Sequence, residues 1–354
     1  MNGFTDEETF NRSSVHESYR RVGSKPTDDR HSSGCLSQRN TSNPLCINSR
    51  DLERSRVAGC KQGMASTHSP GPRRIRASMR GFAGTSGVHC QKMGQKGFEM
   101  KTLVTAIQKG GQGKTFATCH LALDFLERGL RVAVADLDVQ GNASYTLSKF
   151  KSNIKASQLF NGNPDILTSQ LSNLTDHNLF LIEGDPGLAD IEGSMNAGEA
   201  ATKLKSNLDA ISDFFDVLLI DTPPSLGVIM SSAVIVSDYM LSPLEMEAYS
   251  LQGFQKMVTV INNLRKLNPS LKFLGMVPNK VDGRKPRHVK NLSTLRQSYP
   301  DLMVPFSIGL RDSIAQALGE RMAVWDVKKT AARIASNEVR ALAQYVVEKM
   351  EIEQ

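Results

Sequence analysis

Apolar residues in the last 255 positions of the chain fall into short unbroken runs, with longer stretches of helical period between them. The runs are Leu103 to Ile107, 131–135 (RVAVA), 178–182, 216–220 (DVLLI), 238–242 and 272–277 (KFLGMV). Helical patterns lie near 114–128, 195–212, 248–267 and 284–299, and 327–350 reads as one amphipathic helix. Continuous apolar strands separated by helices predict an α/β fold: a mostly parallel twisted sheet with helices on both faces. Ligands in such sheets sit outside the carboxyl ends of the strands. Residues 1–99 lack any sustained period. They are rich in Ser, Arg, Gly, Asn and His, and include the turn-rich, basic stretch Ser69-Pro70-Gly71-Pro72-Arg73-Arg74-Ile75-Arg76. Such a segment cannot bury enough apolar area to offset the entropy of ordering it. The expectation is a disordered basic extension over 1–99 and one ordered domain over 100–354.

The first apolar run ends in Lys109-Gly110-Gly111-Gln112-Gly113-Lys114-Thr115, and a helix-competent stretch from Phe116 to Leu126 follows at once. A strand, a Gly-rich turn and a helix start make a phosphate-binding loop. Its glycines let backbone N–H groups converge on phosphate oxygens without a Cβ in the way. Residues 110–116 are therefore the expected nucleotide cradle. Lys114 is expected at the β- and γ-phosphates, and the Thr115 hydroxyl on Mg²⁺. The general P-loop pattern has Gly where this chain has Lys109, so the loop carries two lysines.

Three later strand ends carry further chemistry. Asp136-Leu137-Asp138-Val139-Gln140-Gly141-Asn142 follows RVAVA directly. Two carboxylates there can serve Mg²⁺ and an attacking water. DVLLI ends in Asp221-Thr222-Pro223-Pro224. A buried strand holds such a terminal carboxylate rigidly toward a magnesium shell. After the run KFLGMV comes Pro278-Asn279-Lys280-Val281-Asp282. Asn279 is expected at the nucleotide base. Asn279 with Asp282 also matches the Asn-Lys-x-Asp signature that reads guanine in GTPases, so GTP stands as an alternative to ATP.

Together these motifs resemble the ParA/MinD family of ATPases, whose deviant Walker A loop has the form Lys-Gly-Gly-x-Gly-Lys-Thr. The likeness implies a P-loop NTPase fold with ATP and Mg²⁺ as cofactors. It implies that Lys109 crosses a dimer interface to the partner's nucleotide. It further implies that Asp138 orients the hydrolytic water, that Asp136 supports the magnesium site, and that Lys109, Lys114 and Asp138 are the catalytic residues. Val304-Pro305-Phe306 through Arg311-Asp312-Ser313 resembles the segment packing under the base, which places Pro305 at the nucleotide. The implied function is plasmid partition: an ATP sandwich dimer that binds DNA nonspecifically and is stimulated by a ParB-type centromere-binding protein. The resemblance covers 101–347. Gln112 inside the loop departs from it, as do Phe116 and His120, which stand where the family commonly has Thr and Asn.

Charge refines the picture. Residues 1–99 hold 16 Lys and Arg against 9 Asp and Glu, whereas 100–354 hold 27 of each. The formal +7 thus belongs to the extension. Within the neutral domain, 280–340 holds 12 basic residues against 6 acidic ones. Lys328, Lys329, Arg333 and Arg340 are the expected DNA contacts, with Arg333 and Arg340 two turns apart on one helix face. A MinD-like membrane role would need a basic amphipathic C-terminus. The chain instead ends Glu348-Lys349-Met350-Glu351-Ile352-Glu353-Gln354, which anionic lipid repels. No apolar run reaches the roughly 18 residues of a membrane span, and the start of the chain is polar. The four cysteines of the extension form no C-x-x-C pair. A cytoplasmic, nucleoid-associated protein is expected.

The composition break at Met100 generates a test. A chain starting at Met100 should keep the thermal transition and the nucleotide affinity of the full chain. A large drop in melting temperature on truncation would refute the boundary.

Overall fold

A computed structural model describes residues 99–172, 178–246 and 251–353, with backbone only for 251–254, 256 and 257. The extension expected over residues 1–99 lies outside the described residues except for Glu99. Seven strands appear in chain order: β1 Lys101–Thr105, β2 Val132–Asp136, β3 Lys151–Lys155, β4 Leu179–Glu183, β5 Val217–Asp221, β6 Tyr239–Glu245 and β7 Lys272–Asn279. They form one sheet in the order β3-β4-β2-β5-β1-β6-β7, and every described pairing is parallel. The helices are α1 Lys114–Glu127, α2 Asn142–Thr146, α3 Gln158–Asn161, α4 Pro164–Ser172, α5 Gly187–Ser194 and α6 Ala197–Ile211. They continue with α7 Val228–Val236, α8 Leu251–Leu267, α9 Pro286–Ser298, α10 Asp312–Gly319 and α11 Thr330–Lys349.

Strand residues alternate between two cores, as the period of two requires. Leu103, Val132, Val134, Val217, Leu219 and Leu241 pack on α1, α10 and α11. Val104, Ala133, Ala135, Leu218, Ile220 and Met240 face the opposite layer, which includes α6 and α7. The central strands β2 and β5 are buried at every position, which is why they read as unbroken apolar runs. The mostly parallel sheet with helices on both faces is therefore as expected.

The edge strand β3 was not expected. Its sequence KSNIK buries only Ser152 and Ile154, so it carries no apolar run. Its outer lysines, Lys151 and Lys155, pair with Glu183 of β4. Boundaries also shift: β1 starts at Lys101, two residues before the apolar run, β6 runs on to Glu245 and β7 to Asn279. Among the described residues no helix is long and apolar enough to cross a membrane.

Candidate nucleotide and magnesium site

Register decides which side chains meet. Thr105 is the partner of Asp221 in the β1/β5 pairing, and Asp136 is the partner of Asp221 in the β2/β5 pairing. Three polar side chains thus end neighbouring strands at one level, directly under the loop between β1 and α1. The loop turns into α1 at Gly113, whose φ of 104° lies in the left-handed region. A Cβ there would lie 2.1 Å from Asn279 Nδ2, so only glycine fits.

Three contacts hold the loop from outside. Asn279 Nδ2 donates to the Gln112 carbonyl at 2.7 Å, and Lys280 Nζ to the Gly111 carbonyl at 2.7 Å. Gln112 Oε1 accepts from the Glu245 backbone N–H at 2.9 Å. The Gln112 side chain is buried against the end of β6, which leaves its backbone to face a ligand.

Behind the loop lie the carboxylates. Thr115 Oγ1 donates to Asp221 Oδ2 at 2.6 Å. Asp221 is almost fully buried, and burial followed by the charge of Asp136 pushes its carboxyl up to about 8. Asp136 is buried too, and burial raises its pKa. One of its oxygens accepts both the N–H and the hydroxyl of Ser144 at 2.7 Å, and the other accepts the Asp138 N–H at 3.2 Å. Asp136 therefore shapes the turn into α2. Lys114 is buried, which lowers its pKa, with Asp221 and Asp138 opposing the shift. A buried carboxylate against a P-loop hydroxyl is a donor set of hard oxygens that suits Mg²⁺. Asp136, with both oxygens already engaged, fits only an indirect part.

A cavity of about 530 Å³ opens above this floor, a size that suits a nucleotide. Residues 110–116, Asp138 and Asn279 line it. Lys109 is exposed and is not among the lining residues. Pro305 is a correction. It is exposed, its carbonyl accepts from Arg296, and it does not line the cavity. The wall expected there comes from Gly309, Leu310 and Arg311, a few residues further along the same segment. Tyr145 of α2 and Ile314 and Leu318 of α10 also line the cavity. No motif in the chain marks these three, because only the packing of α10 beside α2 brings them there. Asp282 does not line it, and Arg284 takes its carboxylate, holding it near 2.

At the basic end of the domain, Lys328, Lys329 and Arg333 are exposed, and Lys329 Nζ donates to Gln316 at 2.6 Å. Arg340 is the second correction. Its guanidinium pairs with Asp124 and Glu127 of α1 and lies 3.6 Å over the Trp325 ring. Since Asp124 is fully buried, this pairing staples α11 to α1 and removes Arg340 from the exposed basic face.

A family profile described as an AAA domain matches residues 100–273. Protein IncC from Escherichia coli is 56% identical over 99% of this chain and 100% of its own length, and a second IncC from that species is 46% identical with the same coverage. The chain belongs to the ParA-type partition ATPases, in their IncC branch. The IncC likeness spans nearly the whole chain, so it takes in the basic extension that the wider ParA-type resemblance leaves out. Among solved structures, an ATP complex of McdA from Cyanothece has a TM-score of 0.61 at 24% identity, covering 73% of this chain and all but 1% of that one. At that identity the likeness bears on the fold alone. Cobyrinic acid a,c-diamide synthase from Mycobacterium smegmatis, solved with a bound ATP analog and magnesium, is 25% identical with a TM-score of 0.55, covering 72% of this chain and 97% of that one.

Two of the departures from the ParA-type loop pattern, Phe116 and His120, sit together. Phe116 lines the cavity, and its ring centroid is 4.9 Å from that of His120. His120 Nδ1 shares a hydrogen bond with the Phe116 carbonyl at 3.0 Å, and burial depresses the imidazole to about 4. Between pH 6.5 and 4 the unfolded chain binds a proton here that the folded chain does not. The stability His120 contributes as a neutral ring is thus complete above pH 6.5 and is lost as pH falls toward 4, by about 3 kcal/mol at most. Urea midpoints across that range should fall more steeply for the native chain than for His120→Gln. Parallel profiles would mean that His120 does not stay neutral.

Proposed function

We propose that this chain binds and hydrolyses Mg²⁺-ATP, closes on it as a sandwich dimer, binds DNA nonspecifically in that state, and partitions a plasmid with a ParB-type centromere-binding protein that stimulates hydrolysis. The observation that carries the reading is the hard-oxygen pair Thr115–Asp221 beneath a glycine loop with a buried Lys114. Membership in the partition family supports the biological role.

Bound Mg²⁺ would be held through Thr115, with Asp221 and Asp136 behind it, and would supply charge neutralisation at the phosphates. Lys114 offsets charge on the β- and γ-phosphates from within the subunit. Lys109, exposed beside the loop, does so across the dimer interface. Asp138 orients the water. Its Oδ1 accepts from the Gln140 N–H at 3.0 Å, which fixes the carboxylate at the cavity edge. Catalysis of this kind is positioning and electrostatics, with little covalent work for the protein. Lys328, Lys329 and Arg333 supply the phosphate contacts to DNA, Arg340 being engaged with α1. ATP is favoured over GTP because the double-lysine loop outweighs the short Asn279–Asp282 match and Asp282 does not line the cavity.

Two experiments test this reading. Asp138→Ala should still bind ATP and dimerise, but hydrolyse it about a hundredfold more slowly or worse. A normal turnover rate would remove Asp138 from the attacking water. Second, gel shifts across a salt series should show nucleotide-dependent DNA binding. The double variant Lys329→Ala with Arg333→Ala should bind every DNA sequence more weakly and reduce the log–log salt slope by about 2. Lys109→Ala should keep the basic face yet lose the ATP-stimulated part, because the dimer supplies the avidity. Equal binding with and without ATP in the native protein would sink the coupling.

A further inference from the structure

The C-terminal helix α11 reaches the nucleotide cavity through one acidic side chain, Glu338. Its Oε2 accepts the backbone N–H of Gly309 at 2.9 Å and Arg311 Nε at 3.1 Å. Its Oε1 accepts Arg311 Nη2 at 2.5 Å. A carboxylate that takes a guanidinium on both oxygens and a backbone N–H as well is held in one geometry. Both recipients, Gly309 and Arg311, line the cavity, and so does Leu310 between them.

That wall segment is also hydrogen-bonded to the end of β7. Ile308 N donates to the Pro278 carbonyl at 2.8 Å, Val281 N to the Ile308 carbonyl at 3.0 Å, and Leu310 N to the Val281 carbonyl at 3.0 Å. Between those anchor points sit Asn279 and Lys280, which hold the phosphate loop. The wall is tightly fitted to the clamp. A Cβ on Gly309 would lie 3.0 Å from the Arg311 guanidinium carbon, so the guanidinium lies close against the bare backbone there. With Nε and one Nη2 hydrogen taken by Glu338, the guanidinium keeps both Nη1 hydrogens and the second on Nη2 for other acceptors.

We propose that Glu338 is a positioning residue for the nucleotide: through Gly309 and Arg311 it sets the wall that meets the base and sugar, and so makes α11 part of the nucleotide site. The inference rests on the reading that this cavity holds ATP. An ordinary half-exposed ion pair contributes little. Glu338 differs because what it orders is the cavity lining. The same helix displays Arg333 on its exposed side, five residues earlier. A ligand on that side and a nucleotide in the cavity would therefore act on one rigid element, and any coupling between them would be reciprocal.

The test separates base and sugar from phosphate. Affinities for Mg²⁺-ATP and for Mg²⁺-tripolyphosphate are measured by calorimetry, and their ratio gives the share of binding that comes from base and sugar. The native chain should prefer ATP. Glu338→Ala should lower that ratio about tenfold, the worth of a charge-assisted hydrogen bond in this setting. Glu338→Gln, which keeps the shape and an acceptor for the Gly309 N–H, should recover part of it and guards against a folding defect in the alanine variant. Arg311→Ala should lower the ratio as well. An unchanged ratio in all three variants overturns the proposal, as does an equal loss of ATP and tripolyphosphate, which would mean a general disturbance of the loop. If the native chain itself binds ATP no better than tripolyphosphate, the reading of the cavity fails before the role of Glu338 is reached.

Discussion

Two carboxylates, Asp136 and Asp221, are buried side by side at the ends of adjacent parallel strands. Burying them is costly, since each charge loses water and repels the other. The surrounding structure reads as the set of compensations for it. Asp136 spends its oxygens on Ser144 and on the Asp138 N–H, which fixes the turn into α2. Asp221 takes the Thr115 hydroxyl and faces the Lys114 ammonium. A divalent cation and a triphosphate would complete the balance: metal for the carboxylates, phosphate for the lysine. The protein thus stores at strand ends a charge arrangement that only a ligand finishes, which is how electrostatic preorganisation works.

Register is what makes the arrangement possible, and the two cores are what hold the register. A one-residue slip between β2 and β5 would part Asp136 from Asp221 and turn the residues packed in one core into the other. Each core is filled by its own alternate set, so the packing of both layers resists that slip. The edge strand β3 has no such guard, and there Lys151 and Lys155 on Glu183 supply the matching instead.

The motifs that lie within a few residues of each other were legible in the chain: the loop from Lys109 to Thr115, the Asp136–Asp138 pair, and Asp221 after DVLLI. Each is a strand followed by its own terminus, so local pattern and site coincide. The cavity wall was less legible. Pro305 was expected at the base, yet the lining begins at Gly309, where the segment has passed its bonds to β7 at Val304 and Ile308 and meets Val281 just beyond that strand. Arg340 was misread for a related reason. Spacing of seven puts it near Arg333 on the helix, but spacing cannot reveal that α1 offers the buried Asp124 beside it. Tyr145, Ile314 and Leu318 had no signal at all, since they meet only across elements far apart in sequence.

Phe116 and His120, two of the departures from the family loop, make sense together with Arg340. The Phe116 ring meets His120, His120 meets the edge of Trp325 at 6.0 Å, and Trp325 carries the Arg340 guanidinium on its face. The small polar residues usual at 116 and 120 could not fill that path. Large rings there extend the core from the cavity floor to α11, and they do so only if His120 stays neutral, because a charged imidazole among buried rings would be unpaid desolvation. The same helix is then fastened on two sides of the nucleotide cavity: through rings behind the loop, and through Glu338 at the wall. Substituting either ring alone would leave a void against the other. Phe116 and His120 therefore act as one packing unit.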